Sequence, residues 1–137
     1  MKNSILMLLV FLHGSLILNA QNTIEVKIIN FASDKGVAQI GLFNTETSFL
    51  NKVYKAKGVK IKDQKAVAIF SDIPDGTYAI SVFQDKNEDK KLNTFLGIPT
   101  ENYAASNNAP SKFGPPKWKD AKFEVRNGEI VKQNISM

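Results

Sequence analysis

The sequence predicts an all-β domain, an antiparallel β-sandwich of about seven strands, and three observations carry that expectation. Apolar and polar residues alternate at the two-residue period of half-buried strands. Turn-forming residues punctuate the chain about every ten residues. After residue 20 no stretch shows the 3.6-residue period of a long amphipathic helix.

In Thr23–Phe31, Ile24, Val26 and Ile28 alternate with Glu25 and Lys27, which gives one apolar face. Ser33-Asp34-Lys35-Gly36 is turn chemistry, and Val37–Phe43 then sets Ala38, Ile40 and Leu42 on one side. These two segments are expected to pair as a hairpin. Asn44–Asn51 is polar, anchored by Phe49 and Leu50, and reads as a loop or a short helical turn. Val53–Lys62 and Ala66–Phe70, separated by Asp63-Gln64, form a second expected hairpin. Asp72-Ile73-Pro74-Asp75-Gly76 supplies the next turn, after which Tyr78, Ile80 and Val82 line one face of a strand expected to be central. Ala121–Arg126 and Glu129–Ser136 flank Asn127-Gly128, whose access to positive φ predicts a closing hairpin.

Between the central strand and that hairpin, Asp85–Asp120 has no sustained period. Structureless segments above about 15 residues are uncommon in compact domains unless functional or disordered. Phe95, Leu96, Ile98, Tyr103, Phe113 and Trp118 make this one too apolar for disorder, so it is expected to be a long loop ordered upon the domain.

Residues 1–20 begin with Lys2, continue through the apolar run Ile5–Phe11 and end on Ala20, the pattern of a secretory signal peptide. The mature chain is therefore expected to be a single domain over residues 21–137, periplasmic or extracellular, with no membrane span after cleavage. Its only histidine, His13, lies in the expected leader, and the sequence has no cysteine. That excludes Ser-His-Asp and Cys-His nucleophilic machinery from the mature chain, and zinc or copper sites built on imidazole or thiolate. The net charge of +5, or +4 without Lys2, comes almost wholly from scattered lysines, with Arg126 the lone arginine. Nucleic-acid readers favour the planar arginine fork, so no nucleic-acid partner is expected.

Two constellations in the long loop carry candidate chemistry. Asp85, Asn87 and Asp89 stand at positions i, i+2 and i+4, followed by Asn93 and Glu101. Hard cations take several such oxygens, so these five residues are the candidate ligands for calcium. Lys90 stands where an EF-hand requires glycine and Leu96 where it requires glutamate, which excludes a true EF-hand. Tyr103, Asn107, Asn108, Phe113 and Trp118 are the candidate contact residues for an envelope glycan or a surface protein, aromatic faces stacking while amides bond hydroxyls, the alternative being that the aromatics plug the open end of the sandwich.

The spaced motifs from Asp72-Ile73-Pro74-Asp75-Gly76-Thr77-Tyr78-Ala79 through Asp85-x-Asn87-x-Asp89, Phe95-x-Gly97-x-Pro99-x-Glu101-x-Tyr103 and Phe113-Gly114-Pro115-Pro116-x-Trp118 to Phe123 resemble the exported bacterial family known as domain of unknown function 2141. The resemblance implies an immunoglobulin-like or prealbumin-like sandwich and no assigned activity. Against the family pattern, Lys90 replaces a common glycine, Asn93 an aspartate, and Ala104 lies near another common glycine. The expected function is a non-catalytic binding or structural module, the Asp85 loop being either calcium-stabilised or a solvated turn whose carboxylates Lys86, Lys90 and Lys91 neutralise without an ion. The alternative is a small hydrolase of cell-envelope glycans using carboxylates such as Asp85, Asp89 and Glu101.

Overall fold

The alternation of Ile24, Val26 and Ile28 with Glu25 and Lys27 becomes strand β1 (Asn22–Ile29), and its three aliphatic side chains are sealed from solvent. The computed structural model describes residues 21–137. Within them the chain is mostly β, with one short helix, α1 (Trp118–Ala121), and one 3₁₀ turn (Ser106–Asn108). The signal peptide expected over residues 1–20 lies outside the described residues.

The first sheet has the order β10 (Ile130–Ser136), β1, β4 (Ala66–Ile73). The second runs β3 (Lys55–Lys60), β2 (Val37–Phe43), β5 (Gly76–Asp85), β8 (Tyr103–Ala105), with β9 (Phe123–Val125) against the start of β5. Strands β6 (Thr94–Phe95) and β7 (Ile98–Pro99) form a separate small hairpin. Pairing is antiparallel except between β1 and β10, which run parallel with Ile24 opposite Val131, a departure from the all-antiparallel expectation. Ile24, Val26, Ile28 and Phe70 of the first sheet and Ile40, Leu42, Ile80 and Val82 of the second share one buried cluster. Each such side chain stabilises the fold by about 1.5–3 kcal/mol.

None of the three expected hairpins pairs along its strands. β1 and β2 lie in different sheets, although Gly36 takes the positive φ (81°) of their connecting turn. Asp63 and Gln64 adopt φ of 51° and 57°, and Lys62 bridges Lys65, but β3 and β4 then diverge into separate sheets. Asn127 and Gly128 adopt φ of 61° and 68°, yet β9 joins β5 while β10 joins β1. The reason is common to all three. An apolar strand face reaches the core whether its neighbour in sequence lies beside it or in the opposite sheet, as the side-by-side pairs Ile40–Val82 and Leu42–Ile80 show, so burial leaves either layer open to the strand after a turn. A turn dipeptide dictates a reversal without choosing the layer.

Polar side chains tie the crossings. At one end the Asp34 carboxylate accepts the backbone N–H groups of Asp63 (3.0 Å) and Gln64 (2.7 Å). At the other, wholly buried Asn22 donates to the Ile73 carbonyl and to Asp75 (2.8 Å each) and accepts the Glu129 N–H (2.9 Å).

Candidate functional site

The end of β5 runs into the Asp85 loop, which is built on close backbone approach. A Cβ on Gly36 would collide with the Asp85 carbonyl. The Asp85 side chain is wholly buried, and its carboxylate accepts the N–H groups of Asp89 (3.2 Å) and Lys90 (2.9 Å) and the Gln39 amide (3.0 Å). Glu101 clamps the loop from the far side, accepting the Lys86 N–H (3.0 Å) on one oxygen and the Asn93 N–H (3.1 Å) on the other. Asp89 accepts the Lys91 N–H (2.9 Å) and the side-chain amides of Asn87 (3.1 Å) and Asn93 (3.2 Å). The Lys91 N–H first, then the amides, hold its carboxyl below the ordinary 3.8.

The five candidate cation ligands are thus brought together in one tied loop. Lys90 adopts φ 63°, so the sharp turn that a calcium loop assigns to glycine is made here by lysine. Asn93 Oδ1 is buried without a hydrogen-bond partner. Against these features, the carboxylates of Asp85 and Glu101 already face N–H donors. Among the described residues no group of three or more His, Cys, Asp or Glu side chains stands where it could hold one metal ion.

Beyond the loop, residues 92–116 fold over the outer face of the second sheet. That face is covered in two ways. At one end Ala79, Ala105, Ala109 and Ala121 form a second small cluster, closed by Phe49 and Trp118. Their small side chains let α1 and the 3₁₀ turn sit close to the strands. Here β5 changes partners, from β8 at Ser81–Phe83 to β9 at Gly76–Tyr78. Ser106 fills the gap between them: its buried hydroxyl accepts the Ile80 N–H (2.9 Å) and donates to the Ala121 carbonyl (2.6 Å). At the other end the insert stands off the sheet over a half-open, mostly apolar cavity of about 730 Å³, lined from the sheet by Ser81, Phe83 and Phe43 and from β8 and the insert by Tyr103, Ile98 and Pro116. That volume lies within the range of small-molecule sites, about 300–1,000 Å³.

The predicted contact residues separate on this plan. Tyr103 lines the cavity, half-buried, with its hydroxyl 3.3 Å from the Ser111 carbonyl. Phe113 is 95% exposed beside it. Trp118 opens α1 and packs edge-on against Phe49 (5.7 Å between centroids), away from the cavity lining. Asn107 donates to the carbonyls of Asp120 (3.1 Å) and Lys122 (2.8 Å), tying the 3₁₀ turn to α1 and the residue after it, and Asn108 accepts the Ser136 N–H (2.9 Å) of the closing strand. Sequence reading missed Phe43, Phe83 and Ser81 as cavity floor. Their places on β2 and β5 were legible, but an outward face covered by a distant segment leaves no local signal. The carboxylates considered for glycan hydrolysis do not line the cavity.

These features define a small β-rich domain of two sheets around one core, with an ordered insert arching over the second. The chain belongs to the family described as "Uncharacterized protein conserved in bacteria (DUF2141)", whose model matches residues 26–133. No curated protein matches the chain. Among solved structures it is similar to a leucine-rich repeat protein from Bacteroides thetaiotaomicron VPI-5482, at 16% identity and a TM-score of 0.41, covering 88% of this chain and 14% of that one. A likeness at that level carries no argument about function.

Proposed function

We propose that this protein is an exported, non-catalytic binding module, an immunoglobulin-like or prealbumin-like sandwich that takes an apolar ligand between its second sheet and the insert. Residues 1–20 serve as its signal peptide in this reading. The observation that carries it is the cavity itself: apolar side chains line a space that folding has left open, while the other half of the same sheet face is closed by alanines. Glycan recognition draws less support, because Asn107 and Asn108 are engaged with backbone groups and Trp118 is packed against Phe49.

Titration with Nile red, a neutral apolar dye, tests the reading. Saturable binding with a blue-shifted emission is expected, and Ser81→Phe, which fills the floor of the cavity, should abolish it while the far-ultraviolet circular dichroism stays unchanged. No binding, or binding untouched by Ser81→Phe in a folded variant, overturns the proposal.

A calcium clamp on the Asp85 loop is a second reading, favoured by the unpartnered Asn93 Oδ1 among Asp85, Asn87 and Asp89. Saturating a native-only site at a hundred times its dissociation constant adds about 2.7 kcal/mol. For a domain of this size the melting temperature then rises by on the order of 5–20 °C over that in chelator. Coincident melting curves sink the clamp and leave the cavity reading intact.

A further inference from the structure

Resting on the cavity reading above, the lining goes further and narrows the chemistry of the ligand. We propose that the cavity takes an anionic single-chain amphiphile, its acyl chain lying against Phe43, Phe83 and Tyr103 and its headgroup held by Lys112. Three observations carry this.

The first is charge. Among the described residues Lys112 is the only charged side chain on the lining, whose other polar members, among them Ser81, Thr94 and Ser111, are neutral. No carboxylate lines the cavity, so one positive charge at its edge is left for one negative charge on a ligand. A polyanion would meet too few donors, and a neutral apolar molecule would leave Lys112 without a role.

The second is that Lys112 is free to act. Among the described residues the one ion pair joins Arg126 to Glu124 (2.8 Å), and the Lys112 ammonium instead sits 5.6 Å from the centre of the exposed Phe113 ring. Being exposed, it pays little desolvation when a headgroup arrives.

The third is the apolar rim. The β6–β7 hairpin places Ile98 on the lining and leaves Phe95 and Ile98 69% exposed and Leu96 86% exposed. Leu96 (φ 50°) and Gly97 (φ 78°) make the two-residue turn of that hairpin, which leaves the leucine side chain in solvent. An acyl chain entering beneath this rim and the rim itself would shelter each other from water.

Competition for bound Nile red tests the assignment, with dodecanoate and dodecyltrimethylammonium kept below their micelle concentrations and 1-dodecanol below its solubility limit. At low salt dodecanoate should displace the dye with an apparent Kd about fivefold below that of dodecanol, the cation being weakest, and the gap should close as salt is raised. Decanoate should bind about fourfold more weakly per methylene lost. Lys112→Gln should erase the preference for carboxylate and leave dodecanol unchanged, and Lys112→Glu should turn it toward the cation. Equal affinity for carboxylate and alcohol, or a Lys112→Gln variant that still prefers dodecanoate, overturns the headgroup assignment while the cavity reading stands. Dye retained against all three overturns the amphiphile alone. Failure of the dye to bind removes both proposals together.

Discussion

Strand β5 is covered on both faces, and the two coverings differ in kind. Toward the first sheet, Tyr78, Ile80 and Val82 meet the aliphatic residues of β1 and β4 in a cluster closed to solvent. Toward the insert, Ala79 meets other alanines, whereas Ser81 and Phe83 face open space. Large branched side chains from two regular sheets interdigitate and exclude voids. An irregular segment can approach a sheet closely only where the side chains between them are small, and where they are not it arches. One strand thus seals a core with its even-numbered residues Tyr78, Ile80 and Val82 and faces an open cavity with its odd-numbered Ser81 and Phe83.

The largest blow to this contrast falls on the closed side. Ile80→Ala should destabilise the protein by about 2–5 kcal/mol, read as a lower urea midpoint at unchanged slope. A loss under about 1 kcal/mol would mean that the two sheets do not share one tightly packed core.

Next comes the seam between the two coverings. Ser106→Ala strands the Ile80 N–H and the Ala121 carbonyl and should cost about 1–3 kcal/mol, with faster amide exchange at Ile80. Protection retained at Ile80 would show that another group fills the gap between β8 and β9.

On the open side, Phe113→Ser should leave stability within about 0.5 kcal/mol, since Phe113 is 95% exposed. A larger loss would place Phe113 in the packing of the insert rather than beside its mouth.

The smallest effect is electrostatic and lies at the β5–β9 pairing. The Thr77 hydroxyl (2.7 Å) first, then the Arg126 guanidinium (2.8 Å), hold the Glu124 carboxyl below its ordinary 4.5. A depressed carboxyl favours the native state above the unfolded value, and that contribution is lost as pH falls through the folded one. Thr77→Val should therefore raise the Glu124 midpoint in a carboxyl titration followed by NMR and flatten the acid limb of stability. An unmoved midpoint would assign the shift to Arg126.

The strands and the loops differ in how far local sequence reveals them. β1, β2 and β5 announced themselves because alternation is local and survives any tertiary arrangement: Ile24, Ala38 and Ile80 are buried as their period required. The Asp85 loop was legible as a cluster but not as a clasp, since nothing local says that Glu101 will accept N–H groups from both Lys86 and Asn93. Asn107 and Asn108 looked like ligand contacts because amides in a loop have no local partner. Theirs lie in α1, the residues just after it, and β10.

By itself the amino-acid sequence determined the strand-forming segments, the positions of the tight turns, the apolar character of the insert and the absence of histidine and cysteine after residue 20. Only the tertiary structure decided which sheet each strand enters, that β1 and β10 run parallel, and where the insert leaves a cavity. The physical reason is one of range. Period and turn chemistry act over a few residues, whereas layer choice and empty space follow from how faces far apart in the chain cover one another.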